Sequence, residues 1–493
     1  MRVVQNRQMQ IGEVDIAKIQ FDPKSRDDIP RILRGLQYLH TDRELQPKIF
    51  RLLQQKILPK VDKNNGRPGM PLWCIFVAAV LRLDLNIDYD RLHELVNQHA
   101  TIRLMLGHSQ FDERTYEYQT LVDNVSLVSL ELIDEINQLV VDAGHVLVKK
   151  KADAALRGRC DSFVVETDVH YPTDINLLFD AMRKVITLTA QWCERCGLSD
   201  WRQHAYNVRH LKRLMRAAQN KKRSRAKSPA QQAKREAAIE KAHRLYLEVA
   251  QHYLDKARAT LARSEQSVAF KLTIEGYMRH ATRQIDQIQR RVLQGEVIPH
   301  AEKVFSIFEP HTEWIAKGKA GVPLELGLRV CILEDQYQFI LHHEVMQNQT
   351  DDQVAVSMVE QAQKRFPDLR ICSFDKGFYS PANQADLAKR LEVAALPRKG
   401  KLSQQAQAEE HSEAFLQARR RHSAVESAIN ALEVHGLDRC LAFGLAGFKR
   451  YVAMAVLARN IDRIGAILKQ RDEKHARRKR KRTARDTALR RAA

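Results

Sequence analysis

A chain of 493 residues is too long for one ordinary core, so two or three structural units are expected. Apolar residues make up 44% of it and aromatics only 6%, which predicts a core built mostly of Leu, Val, Ile and Ala. Lys and Arg outnumber Asp and Glu by 81 to 60, and the resulting net charge of +21 attracts polyanions, nucleic acid first among them. Seven cysteines at 74, 160, 193, 196, 331, 372 and 440 are odd in number and widely spaced, which argues against a disulfide framework and fits a reducing cytosol. The longest apolar runs, such as Cys74 to Leu81, are far short of a membrane span. No apolar stretch follows a basic start, and no Gly-rich phosphate loop of the NTPase type is present. The expectation is a soluble protein of the cytoplasm, associated with the nucleoid, with no membrane partner and no ATP.

Residues 1–24 show little periodicity and read as an N-terminal arm. Apolar residues then recur at helical spacing: Ile32, Leu33 and Leu36, followed by Ile49, Leu52, Leu53 and Ile57. Asn64 to Gly69 breaks the pattern, Pro71 to Leu83 reads as a buried helix, and helices continue to Leu147. Residues 25–150 are therefore expected to form an all-helical N-terminal, DNA-binding domain. Asp161 to His170, rich in Val, Phe and Thr, favours a strand. A helix is expected from about Asp174, where Pro172 and Thr173 precede it. From about 180 to 300 the pattern is helical almost throughout and includes the basic run Lys221 to Lys227; it reads as a large helical insertion.

Strand pattern returns at Leu324 to Leu333 and Tyr337 to Met346, with Glu334-Asp335-Gln336 as the link of a hairpin. A helix over Asp351 to Arg365, a strand over Leu369 to Phe374, a helix from Pro381 to Leu391 and a strand over Val393 to Leu396 follow. One long helix from Phe415 to Leu437 and another from Phe448 to Leu468 close the series. With the insertion removed, this order is that of an α/β RNase H-like domain with a mixed sheet, spanning 151–468. The tail 469–493 is dominated by Arg and Lys and is expected to be disordered.

Three acidic positions stand where catalysis on such a fold needs them. Asp161 is in the first strand, Asp375 ends the fourth, and Glu426 lies on the helix after the last strand, beside the apolar stripe Val425, Ile429 and Leu432. Hydrolysis or transfer at a phosphodiester needs charge neutralised on the attacking and leaving oxygens, which two Mg²⁺ about 3.5–4 Å apart achieve. Mg²⁺ prefers oxygen ligands and keeps waters, so a few carboxylates suffice; Mn²⁺ is the natural substitute. Asp168 is the alternative first carboxylate. Lys317 and Lys319 precede the second strand, and they can hold DNA phosphates or form a solvated basic loop. His422 shares a helical face with Glu426 and can contact a phosphate or a bound water, and Arg421 can supply a phosphate contact. Cys193-x-x-Cys196 has knuckle-like spacing without a second pair, and reads as packed or surface thiols. His342-His343-Glu344 reads as packing.

Three blocks of the sequence resemble bacterial insertion-sequence transposases of the DDE type, most closely the ISNCY-like members. CDSFVVETDVHYPTDINLL (160–178) is similar to the block around the first catalytic aspartate, FDKGFYS (374–380) to that around the second, and RRHSAVESAINALEVHGLDRC (420–440) to that holding the glutamate. RDDIPRILRGLQ (26–37) and GRPGMPLWCIFVAAVLRL (66–83) look like the helical domain that precedes catalysis in these enzymes. Asp161 aligns with the leading aspartate of its block. The resemblance implies metal-dependent cleavage and strand transfer at the terminal inverted repeats of a mobile element. It also implies double-stranded DNA partners (terminal repeats and target), magnesium, and a homodimer or larger synaptic complex. Two rival readings are a catalytically inactive DNA-binding relic acting as a repressor, and an RNase H-like nuclease.

Overall fold

The computed structural model describes residues 3–5, 8–9, 11–22, 24–57, 69–223, 228–263, 268–316 and 324–492, with backbone alone for 222–223 and 480–492. It divides into two compact units: Met1–Asp168 with Ile315–Ala493, and Val169–Trp314.

The first unit opens with helices whose sequences dictate their burial. α1 (Ile29–Thr41) carries Pro30 in its first turn and buries Ile32, Leu33, Leu36 and Leu39. α2 (Leu45–Ile57) buries Ile49, Leu53 and Ile57. α3 (Leu72–Asp84) is apolar on every side but its last turn, and all of its residues are buried, as a helix of that character must be. α4 (Tyr89–Gln98), α5 (Ala100–Met105), α6 (Tyr118–Val125) and α7 (Leu130–Leu147) follow, with Asp88 and Ser129 accepting the first-turn amides of α4 and α7. The chain then enters β1 (Leu156–Thr167).

The second unit is helical: α8 (Asp174–Arg195), α9 (His204–Arg223), α10 (Pro229–Leu261) and α11 (Val268–Ile288). Thr173 caps α8 and Ser228 caps α10, with Pro229 as the first residue of the latter. Its core is its own, built around Trp192, Tyr246, Leu254 and Ile274. The buried Tyr246 hydroxyl donates to the Ile175 carbonyl at 3.1 Å and Trp201 Nε1 to Thr260 Oγ1 at 3.0 Å, which satisfies the polar atoms of these two large amphipathic rings.

The remaining elements are β2 (Glu313–Ala316), β3 (Leu324–Glu334), β4 (Ile340–Val345), α12 (Asp351–Arg365), β5 (Leu369–Phe374), α13 (Pro381–Arg390), β6 (Val393–Ala395), α14 (Gln404–Glu410), α15 (Glu413–His422), α16 (Ala424–Leu432), β7 (Arg439–Cys440) and α17 (Gly444–Ala492). Seven strands form one mixed sheet in the order β2-β3-β1-β5-β6, with β4 on β3 and β7 on β1. β3 runs antiparallel to β1 and to β4; β5 is parallel to both β1 and β6. The protein is thus mixed α/β with a mixed sheet. None of the seven cysteines is in a disulfide. Among the described residues, no helix is long and apolar enough to cross a membrane.

Three expectations are corrected. The helices of 25–150 do not form a domain of their own, because they share one hydrophobic core with the sheet and with α17. α17 supplies Val452, Val456, Leu457, Ile461 and Ile464 to that core and packs on α1, α3 and α7. α1 and α17 approach backbone to backbone: a Cβ at Gly35 would collide with the Ile461 carbonyl oxygen, and one at Gly465 with that of Arg31. Within the N-terminal arm, Ile16 and Ile19 are buried and their carbonyls accept from Gln37 Nε2 at 2.7 and 2.9 Å. The tail expected to be disordered continues α17 as helix to Ala492. Arg, Lys and Ala are strong helix formers, and the start of the tail is tied down by Lys469 on the Ser25 carbonyl, Arg471 on the Leu147 carbonyl and Asp472 on Arg34. Lastly, the single helix expected over Phe415–Leu437 is broken at Ser423 into α15 and α16, and ends in a turn where Gly436 takes φ +98°.

Candidate functional site

In the parallel pair of β1 and β5, Arg159 lies opposite Ser373 and Cys160 opposite Phe374. Asp375, the first residue past β5, therefore leaves the sheet at the level of Asp161 on the neighbouring strand. Asp375 opens the short turn Lys376–Phe378, and Phe378 is buried 5.7 Å (ring centroids) from Phe374, which fixes that turn while Asp375 stays exposed. Glu426 stands exposed near the start of α16, next to the buried Val425, with Ala428 and Leu432 holding the helix to the core.

Asp161 is half-buried, and its carboxylate accepts the Ser162 amide at 2.8 Å. Burial pushes the carboxyl up to about 6; the Ser162 bond opposes this, and the negative charges of Asp375, Asp351 and Glu426 push it further up. The three acids singled out in the sequence are therefore electrostatic neighbours, although 214 and 51 residues separate them (161 to 375, and 375 to 426).

A fourth carboxylate, Asp351, was not anticipated. It is the first residue of α12, where an acid after the Thr350 cap has an ordinary role at the helix N-terminus, and nothing in its spacing separates that role from this one. The Ser162 hydroxyl donates to its Oδ1 at 2.6 Å. Its Oδ2 lies over Gly377, where a Cβ would stand 2.9 Å from it, so the turn after Asp375 has room for this carboxylate only because residue 377 has no side chain. Ser162 and Gly377 thus bind Asp351 into the same cluster as Asp161 and Asp375.

His422 closes the site at the end of α15. Its Nδ1 is 3.1 Å from Ser373 Oγ, and burial lowers its pKa against the pull of Asp375 and Glu426. A neutral imidazole beside the acids can accept or donate one hydrogen bond. Arg421 is exposed and lines a cavity of about 400 Å³ together with Arg157, Arg159, Ser373 and Gln336. Arg159 is engaged there, with Nη2 2.6 Å from Glu334. Asp168 stands past the opposite end of β1, roughly 20 Å along the strand from Asp161, exposed and 3.8 Å from Arg439. The charges that act most on Asp161 are those of Asp375, Asp351 and Glu426. Lys317 and Lys319 lie outside the described residues.

The carboxylates around Asp161 are close but not collapsed onto one point. Among the described residues, one group of three or more His, Cys, Asp or Glu brings its donor atoms all within 4.8 Å, and it is a different one: Asp84, His435 and Asp462, buried together and able to hold a metal ion. Sequence reasoning missed it because its members sit on α3, on the turn after α16 and on α17, elements it had assigned to separate domains.

Comparison of the chain with protein-family models, with curated proteins and with solved structures finds no match.

Proposed function

We propose that the chain is a DDE-type DNA transposase that cleaves at the terminal inverted repeats of an insertion sequence and joins the freed ends to target DNA. The observation that carries this reading is the convergence of Asp161, Asp375 and Glu426, in that order along the chain, on a strand, a strand end and a helix. The mixed sheet and its strand sequence fit an RNase H-like catalytic domain. A net charge of +21 suits a DNA partner, and the two-ended reaction suits a dimer or larger synaptic complex.

The donor set fits magnesium. It is all oxygen, and the mutual repulsion registered on Asp161 is of the kind a divalent cation offsets. Two Mg²⁺ ions, or Mn²⁺, held by Asp161, Asp375 and Glu426 would supply charge neutralisation at the attacking and leaving oxygens. Asp351, fixed by Ser162, adds negative charge that strengthens the hold on such cations. His422, neutral and anchored on Ser373, is placed to bond a phosphate oxygen or a water, and Arg421 to meet the DNA backbone as an exposed cation. In the first displacement a water oxygen bonds to phosphorus as the P–O3′ bond breaks, leaving a 5′-phosphate and a free 3′-hydroxyl. That hydroxyl then attacks a target phosphorus and displaces the target's own 3′-oxygen, so one phosphodiester is exchanged for another.

The test is cleavage and joining of DNA carrying the inverted repeats that flank the gene. Wild type with Mg²⁺ is expected to nick at the repeat ends and join them to target, and Asp375→Asn to bind the same DNA without nicking it. Cleavage by Asp375→Asn at the normal rate would remove this assignment, and nicking with no preference for the flanking repeats would favour a nuclease.

A further inference from the structure

Asp84 ends the fully buried helix α3 and is 1% exposed, and neither of its carboxylate oxygens has a hydrogen-bond partner. A buried carboxylate stripped of water and left unbonded costs several kcal/mol, so Asp84 is either neutralised by a proton or compensated by a cation. His435 Nδ1 stands 3.8 Å from Asp84 Oδ1 and in contact with the Asp84 backbone carbonyl. Asp462 on α17, 4% exposed, completes the group; its Oδ1 accepts from Arg31 Nε at 2.5 Å, which leaves Oδ2 unclaimed by that bond. One donor atom from each of the three residues lies within 4.8 Å of the others.

We propose that Asp84, His435 and Asp462 form a structural site for a divalent cation of the zinc class, separate from the carboxylates around Asp161. The chemistry of the donors sets the class. Zn²⁺ takes imidazole nitrogen and carboxylate oxygen together at about 2.0–2.2 Å, whereas Mg²⁺ and Ca²⁺ favour oxygen-only sets and Mg²⁺ keeps several waters. Donors around a tetrahedral ion stand roughly 3.3 Å apart by that geometry, and one donor atom of each of these three residues lies within 4.8 Å of the others. Arg31 keeps Asp462 oriented as an outer partner, the usual support of a ligating carboxylate.

The site has a consequence for the rest of the unit. It joins α3 and α17 to the turn that follows α16, the helix carrying Glu426. That turn leaves helical geometry at His435 and Gly436, and His435 is buried in it. A cation there would staple the far end of α16 to the core and so fix the helix on which Glu426 is displayed. The inference does not depend on what Glu426 does.

The experiment uses the full chain, freed of metal with a chelator, in the Asp161→Asn/Asp375→Asn background so that the other acids bind little. Zn²⁺ is titrated by calorimetry and by thermal unfolding, with Mg²⁺ in parallel. One equivalent of Zn²⁺ with micromolar or tighter affinity is expected, together with a Tm rise of several degrees that Mg²⁺ does not reproduce. His435→Gln should lose both the equivalent and the shift. X-ray absorption at the zinc edge on the loaded protein, which needs no further variant, should show nitrogen and oxygen donors with one imidazole. No stoichiometric Zn²⁺, unchanged binding in His435→Gln, or a sulfur shell pointing to the cysteines would each overturn the proposal; in the first case Asp84 is simply a neutral acid.

Discussion

Around Asp161 the carboxylates are spread over a strand, a strand end and two helices, and Asp375 and Glu426 stay in contact with solvent. Around Asp84 the members are enclosed, packed within 4.8 Å, and one of them is an imidazole. An open, all-oxygen set leaves room for waters and a polyanionic substrate to share the cations, and it tolerates the repulsion because solvent screens part of it. A closed set with a nitrogen donor leaves no such room.

The sharpest way to break this comparison is to remove one acid of the open set. Asp375→Asn should lower the cleavage rate by about 10³-fold or more, because charge stabilisation worth several kcal/mol is lost, while the Kd for repeat DNA measured by gel shift stays within about twofold. An equal loss of binding would mean that Asp375 supports structure instead.

Next in size is the crossing that brings α1 and α17 together near Arg31 and Asp462. Gly465→Leu forces a side chain against the Arg31 carbonyl and should cost roughly 3 kcal/mol in urea unfolding. A loss under about 0.5 kcal/mol would show that the helices can part without penalty.

Titration gives a third, smaller effect. Burial lowers the pKa of His342 to about 3, below its ordinary 6.5. A depressed histidine contributes stability that is present above pH 6.5 and lost as pH falls toward 3. Between pH 6.5 and pH 5 the loss is about 2 kcal/mol. Urea midpoints across this range should slope accordingly, and His342→Leu should flatten the slope by about one proton's worth. An unchanged slope would show that the ring is charged or hydrated in the folded protein.

The smallest effect sharpens the open site. Ser162→Ala frees Asp351 from its 2.6 Å bond and should slow cleavage by about tenfold, or about 1.4 kcal/mol, with Tm nearly unchanged. No change in rate would leave Asp351 outside the working set.

Most elements were legible because their signals are local. The period of α12, the apolar runs of β3 and β5 and the proline start of α13 gave bounds at or within a residue of those observed. β1 was found but begins at Leu156, five residues before the expected start, since Arg157, which is exposed, and Arg159, which pairs with Glu334 across the sheet, disguise a strand. β7 has two residues and no pattern to find. The break at Ser423 was invisible because Arg420 to Ala424 favours helix on both sides of it. Domain borders failed for a different reason: nothing local says that Val452 to Ile464 of α17 will be buried against α1, α3 and α7. The same holds for the sites. Asp161, Asp375 and Glu426 were readable as an ordered series, whereas Asp351, and the meeting of Asp84 with His435 and Asp462, depend on helix packing that no spacing encodes.

Crystals of the protein soaked in Mn²⁺ would show, through the anomalous signal of the bound ion, whether the three acids share cations. Peaks are expected in contact with the carboxylates of Asp161, Asp375 and Glu426. Carboxylates that turn away from one another, with no manganese shared between Asp161 and Asp375, would contradict that expectation.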